Sequence, residues 1–118
     1  MHPSDHMLHR MAINLERYMD LLGARQKLVA SNLANADTPG YKTKDLDFQS
    51  EFRSALRDPS AQPIEVSGLK VKNDGNNVDV DREARLLSEN ALRFNIASQL
   101  VRGQIRSLRN AIQEGKSG

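Results

Sequence analysis

Residues 30–42 of the chain read Ala30-Ser31-Asn32-Leu33-Ala34-Asn35-Ala36-Asp37-Thr38-Pro39-Gly40-Tyr41-Lys42. Pro39 has the fixed φ that suits the second position of a β-turn, and Gly40 can take the positive φ that a type II turn requires next. The asparagine and aspartate side chains before this turn are unfavourable in helix interiors and bond readily to nearby backbone groups. The stretch therefore predicts that a long helix ends here and that the chain leaves it in a fixed direction.

Amphipathic patterns on both sides of this stretch predict two long helices. Before and within it, apolar residues recur at steps of three and four over residues 7–35. After it, residues 80–113 show two rows at steps of seven, a heptad pattern longer than an ordinary globular helix needs. Asp79 or Asp81 stands where a cap for this second helix belongs. The first row contains Val80, Leu87, Phe94, Val101 and Leu108, and the second contains Ala84, Ala91, Ser98, Ile105 and Ile112.

The segment between the helices, residues 36–79, is polar and mixed. Its apolar residues Phe48, Phe52, Ala55 and Leu56 are spaced for one face of a short helix. Further on, residues 64–66 and 69–71 alternate as two short strands around Ser67-Gly68, which predicts a β-hairpin. Asp74-Gly75-Asn76-Asn77 then predicts a tight turn before the second helix.

The length and composition favour a single elongated helical domain over residues 1–118. The chain is 38% hydrophobic, with three Phe, two Tyr and no Trp, so it has little aromatic surface for a compact core. The predicted fold is mainly α: two long terminal helices forming an antiparallel coiled-coil hairpin, with a small irregular or β-hairpin insert between them. Apolar residues off the heptad rows require partners other than the first helix, and they are Leu86, Leu92, Ile96 and Leu100.

The charge balance and the absence of cysteine exclude several classes of function. A formal net charge of +2 does not call for a nucleic acid partner. Arg102, Arg106 and Arg109 form an exposed stripe, but no aromatic stacking platform accompanies it, so we expect a solvated face or contact with acidic residues of a neighbouring subunit. With no cysteine there is no disulfide and no thiolate chemistry. We also expect no transmembrane segment and no cleavable secretory signal.

Two segments invite a metal interpretation and neither supports it well. From Asp74, the calcium-loop template needs an oxygen ligand at position five, glycine at six and glutamate at twelve, where the chain has Val78, Asp79 and Arg85. His2, His6 and His9 could share one helix face, but they stand at a terminus that Pro3 interrupts. We therefore expect no cofactor and no bound metal. No group of residues meets the geometric roles of catalysis, so we expect no enzyme activity.

Two motifs resemble a known family, the axial proteins of the bacterial flagellum, which include its rod subunits. Residues 31–41 are similar to the N-terminal signature of that family. Residues 74–83 and 89–94 resemble the C-terminal half of a proximal rod subunit, in the same order and at a similar separation. The signature positions are Ser31, Asn32, Leu33, Asn35, Asp37, Thr38, Pro39, Gly40 and Tyr41.

The resemblance implies a structural subunit of the proximal rod, exported through the flagellar type III apparatus without signal cleavage. It implies assembly with other rod proteins and with copies of itself into a helical, torque-transmitting tube in the periplasm, above the hook–basal-body adaptor protein. The heptad rows would then be the assembly seam. Phe48 and Phe52 resemble an element that docks on the export gate, although packing explains them equally well. A cytoplasmic helical adaptor or chaperone, and a small DNA-binding protein, remain as alternatives.

Overall fold

The computed structural model describes residues 3–54 and 62–117. The described part of the chain is mainly helical, as the sequence predicts, and extends over 71 × 26 × 17 Å. In chain order its elements are α1 (Pro3–Ala34), β1 (Lys44–Asp45), α2 (Phe48–Ser54), β2 (Ile64–Glu65) and α3 (Val80–Ser117).

The two long helices were both predicted, and each is longer than its apolar pattern. Helix α1 is described from Pro3 onward, and proline is compatible with a first helical turn because the N–H groups there have no internal partner. Helix α3 begins at Val80, as predicted. The Asp79 side chain caps it, since its Oδ1 accepts a hydrogen bond from the Arg82 N–H at 3.1 Å.

Helices α1 and α3 lie side by side and antiparallel. Near the middle of the pair, the Asn90 Nδ2 donates to the Leu22 carbonyl at 3.0 Å. Toward the other end, Leu8 on α1 faces Leu108 on α3 across a shared groove. Later residues of α3 therefore meet earlier residues of α1. Coiled-coil packing of this pair stays a prediction.

The row of α3 that is buried within the subunit differs from the predicted rows. It contains Glu83, Leu86, Asn90 and Ala97, each at most 6% exposed. Leu86, which was expected to need an outside partner, is thus an internal residue, whereas Leu92, Ile96 and Leu100 are exposed. Six residues of the predicted rows are 37–56% exposed, namely Val80, Leu87, Phe94, Ile105, Leu108 and Ile112.

The predicted β-hairpin between residues 64–66 and 69–71 is wrong. Strand β2 instead pairs antiparallel with β1, with Lys44 opposite Glu65 and Asp45 opposite Ile64. The Val66 N–H continues the pairing by donating to the Thr43 carbonyl at 3.0 Å. Residues 43–45 bond to the backbone groups of residues 64–66 that the hairpin would have used. They are available for this pairing because the contacts described below hold them against α1.

The short helix α2 packs on α1 around a small apolar cluster. Leu21 and Leu46 are buried at its centre, with Phe48 and Phe52 against them. The Tyr18 ring meets both phenylalanine rings edge to face, at centroid distances of 5.6 and 6.0 Å. The predicted helical face is confirmed for these two residues, while Ala55 and Leu56 lie outside the described residues.

Candidate functional site: the junction and the exposed helical face

A type II turn leads the chain out of α1, as the sequence predicts. The Tyr41 N–H donates to the Thr38 carbonyl at 3.2 Å, and Gly40 has a φ of +76°. Side chains close the helix end before it: the Asn35 Nδ2 donates to the Ser31 carbonyl at 2.8 Å. The Thr38 hydroxyl donates to the Asn35 Oδ1 at 3.0 Å. These local bonds set the direction in which the chain leaves the helix.

Asn32 attaches the segment after the turn to α1. Its side chain is fully buried. The amide group donates to the Lys44 carbonyl at 2.8 Å and accepts from the Lys44 N–H at 3.1 Å, so it pairs with Lys44 as a neighbouring strand would. The Tyr41 hydroxyl donates to the same Asn32 Oδ1 at 3.0 Å. The signature residues thus place β1 beside the end of α1.

Asn76 connects this turn to the segment that enters α3. Its side chain is fully buried, and its Nδ2 donates to the Asn35 and Thr38 carbonyls, both at 2.8 Å. Its Oδ1 accepts from the Val78 N–H at 2.8 Å. One side chain therefore satisfies backbone groups from both resembling segments, which are distant in sequence and adjacent in the fold.

The backbones of the two segments also approach each other closely. The Gly40 N–H donates to the Asp74 carbonyl at 2.9 Å. Gly75 has a φ of +86°, and a Cβ there would stand 3.3 Å from the Gly40 Cα. A side chain at position 75 would therefore add a close backbone contact to an unfavourable conformation.

Two lysines donate hydrogen bonds to backbone carbonyl groups at this junction. The last turn of α1 contains no basic residue. Lys72 supplies one from the other segment, since its Nζ donates to the Ala36 carbonyl at 3.2 Å. A cation near a helix C-terminus is favourable because the helix dipole is negative there. The Lys42 Nζ similarly donates to the Gly75 carbonyl.

Four charged side chains join α1, β1 and α3. Asp45 accepts hydrogen bonds from Arg25 Nε and Nη2, both at 3.0 Å, and from Arg82 Nη2 at 2.7 Å. Arg82 also donates to the fully buried Glu83 at 2.7 Å. Burial alone raises the pKa of Asp45, but hydrogen bonds from Arg25, the Leu46 N–H and Arg82 outweigh it and hold that pKa below its ordinary value.

The second feature of the molecule is an exposed apolar face on the half of the helix pair that lies away from the junction. This far half contains the first part of α1 and the last part of α3. The groove between the two helices there has a volume of about 410 Å³. Its lining is mostly apolar and includes Leu8, Ala12, Val101, Ile105 and Leu108. Such a face is typical of an interaction surface in a soluble protein.

The signature turn and the apolar rows are predictable from the sequence, but the charge cluster around Asp45 is not. Arg25 is 20 positions before Asp45, Arg82 is 37 positions after it, and no periodic pattern connects the three.

Among the signature residues, Asp37 and Pro39 are exposed and Leu33 is half-buried. His6 and His9 are exposed, and His2 lies outside the described residues. The described residues contain no group of three or more potential metal-ligating side chains.

Known proteins resemble this chain in sequence. Residues 19–42 match the protein family described as Flagella basal body rod protein. That range covers the second half of α1 and the type II turn, so the match includes the element that directs the chain out of the helix.

Full-length relatives extend the match to most of the chain. It is 33% identical to the flagellar basal body rod protein FlgB of Escherichia coli (strain K12), over 82% of this chain and 88% of the relative. It is 31% identical to FlgB of Bacillus subtilis (strain 168), over 87% and 93%. It is 27% identical to FlgB of Borrelia hermsii, over 90% and 98%. The chain belongs to the family of the flagellar basal body rod protein FlgB.

This membership makes the chain a structural, non-enzymatic component of the flagellar basal body rod. It gives no support to a cytoplasmic adaptor, a chaperone or a DNA-binding protein. Within the described ranges, no helix is long and apolar enough to cross a membrane.

Proposed function

We propose that this chain builds the proximal part of the rod, where its copies and other rod proteins pack into a helical tube that transmits torque across the periplasm. The observation that carries the proposal is that large apolar residues of α3 are exposed. Phe94, Ile105 and Leu108 are 44, 47 and 56% exposed in the single subunit. Burying such residues against neighbouring subunits is the driving force for assembly.

The junction gives this surface its orientation. Asn32, Asn76 and the Asp45 cluster hold the end of α1 and the start of α3 together at one end of the molecule. The two helices then project from that end side by side, with their apolar residues available to neighbours. The proposed assembly seam contains Val80, Ala84, Leu87, Ala91, Phe94, Val101, Ile105, Leu108 and Ile112. A repeated contact that does not close on itself produces a helical array.

The family resemblance supports a route to the rod and a partner at its base. The route is the flagellar type III export apparatus with its export gate, and the partner is the hook–basal-body adaptor protein. Phe48 and Phe52 are half-buried against Tyr18 in the folded subunit. Docking of these rings on the gate therefore requires an unfolded chain, and secretion of a Phe48→Ala, Phe52→Ala variant is the measurement that tests it.

Introducing carboxylates by substitution at exposed apolar positions of α3 tests the proposed assembly. In the variant Ile105→Asp, Leu108→Asp, the two positions are 47 and 56% exposed in the subunit, so we expect its fold to be retained. Incorporation into the rod should fall at least about tenfold, because each unpaired carboxylate buried in a contact costs several kcal/mol. The measurement is the amount of the chain in purified basal bodies, together with swimming.

The matched control is Asn95→Asp, Gln99→Asp, which adds the same two carboxylates to exposed polar positions of α3. We expect this variant to enter rods at near the normal level. Normal incorporation of the Ile105→Asp, Leu108→Asp variant would show that the exposed face is not the assembly surface.

A further inference from the structure

Two exposed strips of opposite charge lie on the far half of the helix pair. The basic strip is Arg102 and Arg106 on α3, and the acidic strip is Glu16 and Asp20 on α1. All four side chains are exposed. None of them forms an ion pair or a side-chain hydrogen bond anywhere in the described residues 3–54 and 62–117. The subunit thus presents two pairs of uncompensated charges.

The spacing of the two strips is the same. Each pair is four residues apart on a helix, which is about 6 Å along the axis. The junction is taken as the upper end of the molecule. Because α1 and α3 run in opposite directions, Asp20 lies above Glu16 on α1, and Arg102 lies above Arg106 on α3. In a neighbouring copy that has the same orientation, Glu16 can face Arg106 while Asp20 faces Arg102.

The heights of the two strips differ, and the difference sets the stagger between copies. Ala12 and Gln104 line the same grooves, and the Asn90–Leu22 hydrogen bond gives a second pairing of levels between the helices. By the first pairing Arg106 stands six residues below Glu16, and by the second it stands ten residues below. At about 1.5 Å per residue, the strips come level only when one copy is displaced by roughly 9–15 Å along the helix axis.

We propose that these strips are the two halves of a contact between copies of this chain, with α3 of one copy on α1 of the next. The proposal rests on the proposed function and adds to it the partner, the register and the polarity of the contact. A staggered contact between different surfaces is heterologous and leaves a free strip at each end, so it extends rather than closing as a dimer. Ile105, between the two arginines, is 47% exposed and would be covered by the same contact.

Charge reversal on the purified full-length chain tests this contact. Self-association is measured by sedimentation at low and at moderate ionic strength. Arg102→Glu with Arg106→Glu, and separately Glu16→Arg with Asp20→Arg, should each raise the concentration needed for association about tenfold, since attraction becomes repulsion at two exposed pairs. The fourfold variant that exchanges all the charges should recover association, and so should an equimolar mixture of the two double variants.

A control with an equal change of charge is Arg53→Glu with Lys70→Glu, which are exposed positions outside both long helices. It should associate as the unaltered chain does. The inference is overturned if the double variants associate normally, if neither the fourfold variant nor the mixture recovers association, or if the unaltered chain does not self-associate at any concentration tested. Presence of the chain in purified basal bodies is measured separately, so the proposed function stands or fails independently of this contact.

Discussion

Asn32, Asn76 and Asn90 bond to backbone groups of segments far away in the sequence. Each is at most 3% exposed, and their amides reach the carbonyls of Lys44, of Asn35 and Thr38, and of Leu22, respectively. A buried amide that satisfies backbone groups is costly to remove, because the partners that remain are left unpaired away from water. The subunit therefore depends on a few polar side chains where a larger domain would rely on apolar packing.

Replacing Asn76 with Ala should lower the free energy of unfolding by about 2–3 kcal/mol, since the Asn35 and Thr38 carbonyls and the Val78 N–H lose one shared partner. Urea unfolding of the purified chain measures this. Asn73→Ala, an exposed position three residues away, should change it by no more than about 0.5 kcal/mol. Equal unfolding midpoints for the two variants would mean that Asn76 does not hold the junction.

At the scale of elements, both helices and the type II turn could be predicted because local signals specify them. The strand pairing could not, because the partner of Ile64 is Asp45 and that choice depends on how Asn32 holds Lys44. The face that α3 turns toward α1 was also missed. Its inner row contains Glu83 and Asn90, whose polar side chains read as solvent-facing until their partners are known.

The Asp45 cluster joins three elements, and its contribution should depend on pH. The folded-state pKa of Asp45 lies below the reference value of 3.8. Its stabilising effect is therefore present above that value and is lost as pH falls through the depressed folded pKa. Asp45→Asn should lower the free energy of unfolding by about 3 kcal/mol near neutral pH, because two half-buried arginines lose the carboxylate that they share and only Arg82 keeps another, Glu83.

Denaturant unfolding of Asp45→Asn and the unaltered chain, at about pH 7 and about pH 3, checks this sign. The gap between them should narrow in acid, because below pH 3.8 the carboxylate of the unfolded chain takes up a proton before the native one does. Asp37→Asn, an exposed position, should show a small gap at both pH values. A gap that is constant or that widens in acid would contradict the assigned role of Asp45.

At the scale of the whole molecule, burial is confined to one end. Among the described residues, the buried side chains fall between Leu21 and Ala97, and the first part of α1 and the last part of α3 contribute none. A helix pair that buries so little gains little from tertiary packing, which supplies most helical stability in proteins. The far half of the pair is therefore the part that neighbouring subunits would stabilise, in agreement with a rod component.

Cysteine accessibility tests the burial of this face most directly, because the chain has no native cysteine. Phe94→Cys and Ile105→Cys should react rapidly with a maleimide in the free chain and at least about tenfold more slowly in purified basal bodies, since assembly covers both positions. Ala97→Cys, at a position that is 1% exposed in the single subunit, should react slowly in both. Labelling of Phe94→Cys and Ile105→Cys in basal bodies as fast as in the free chain would contradict the account.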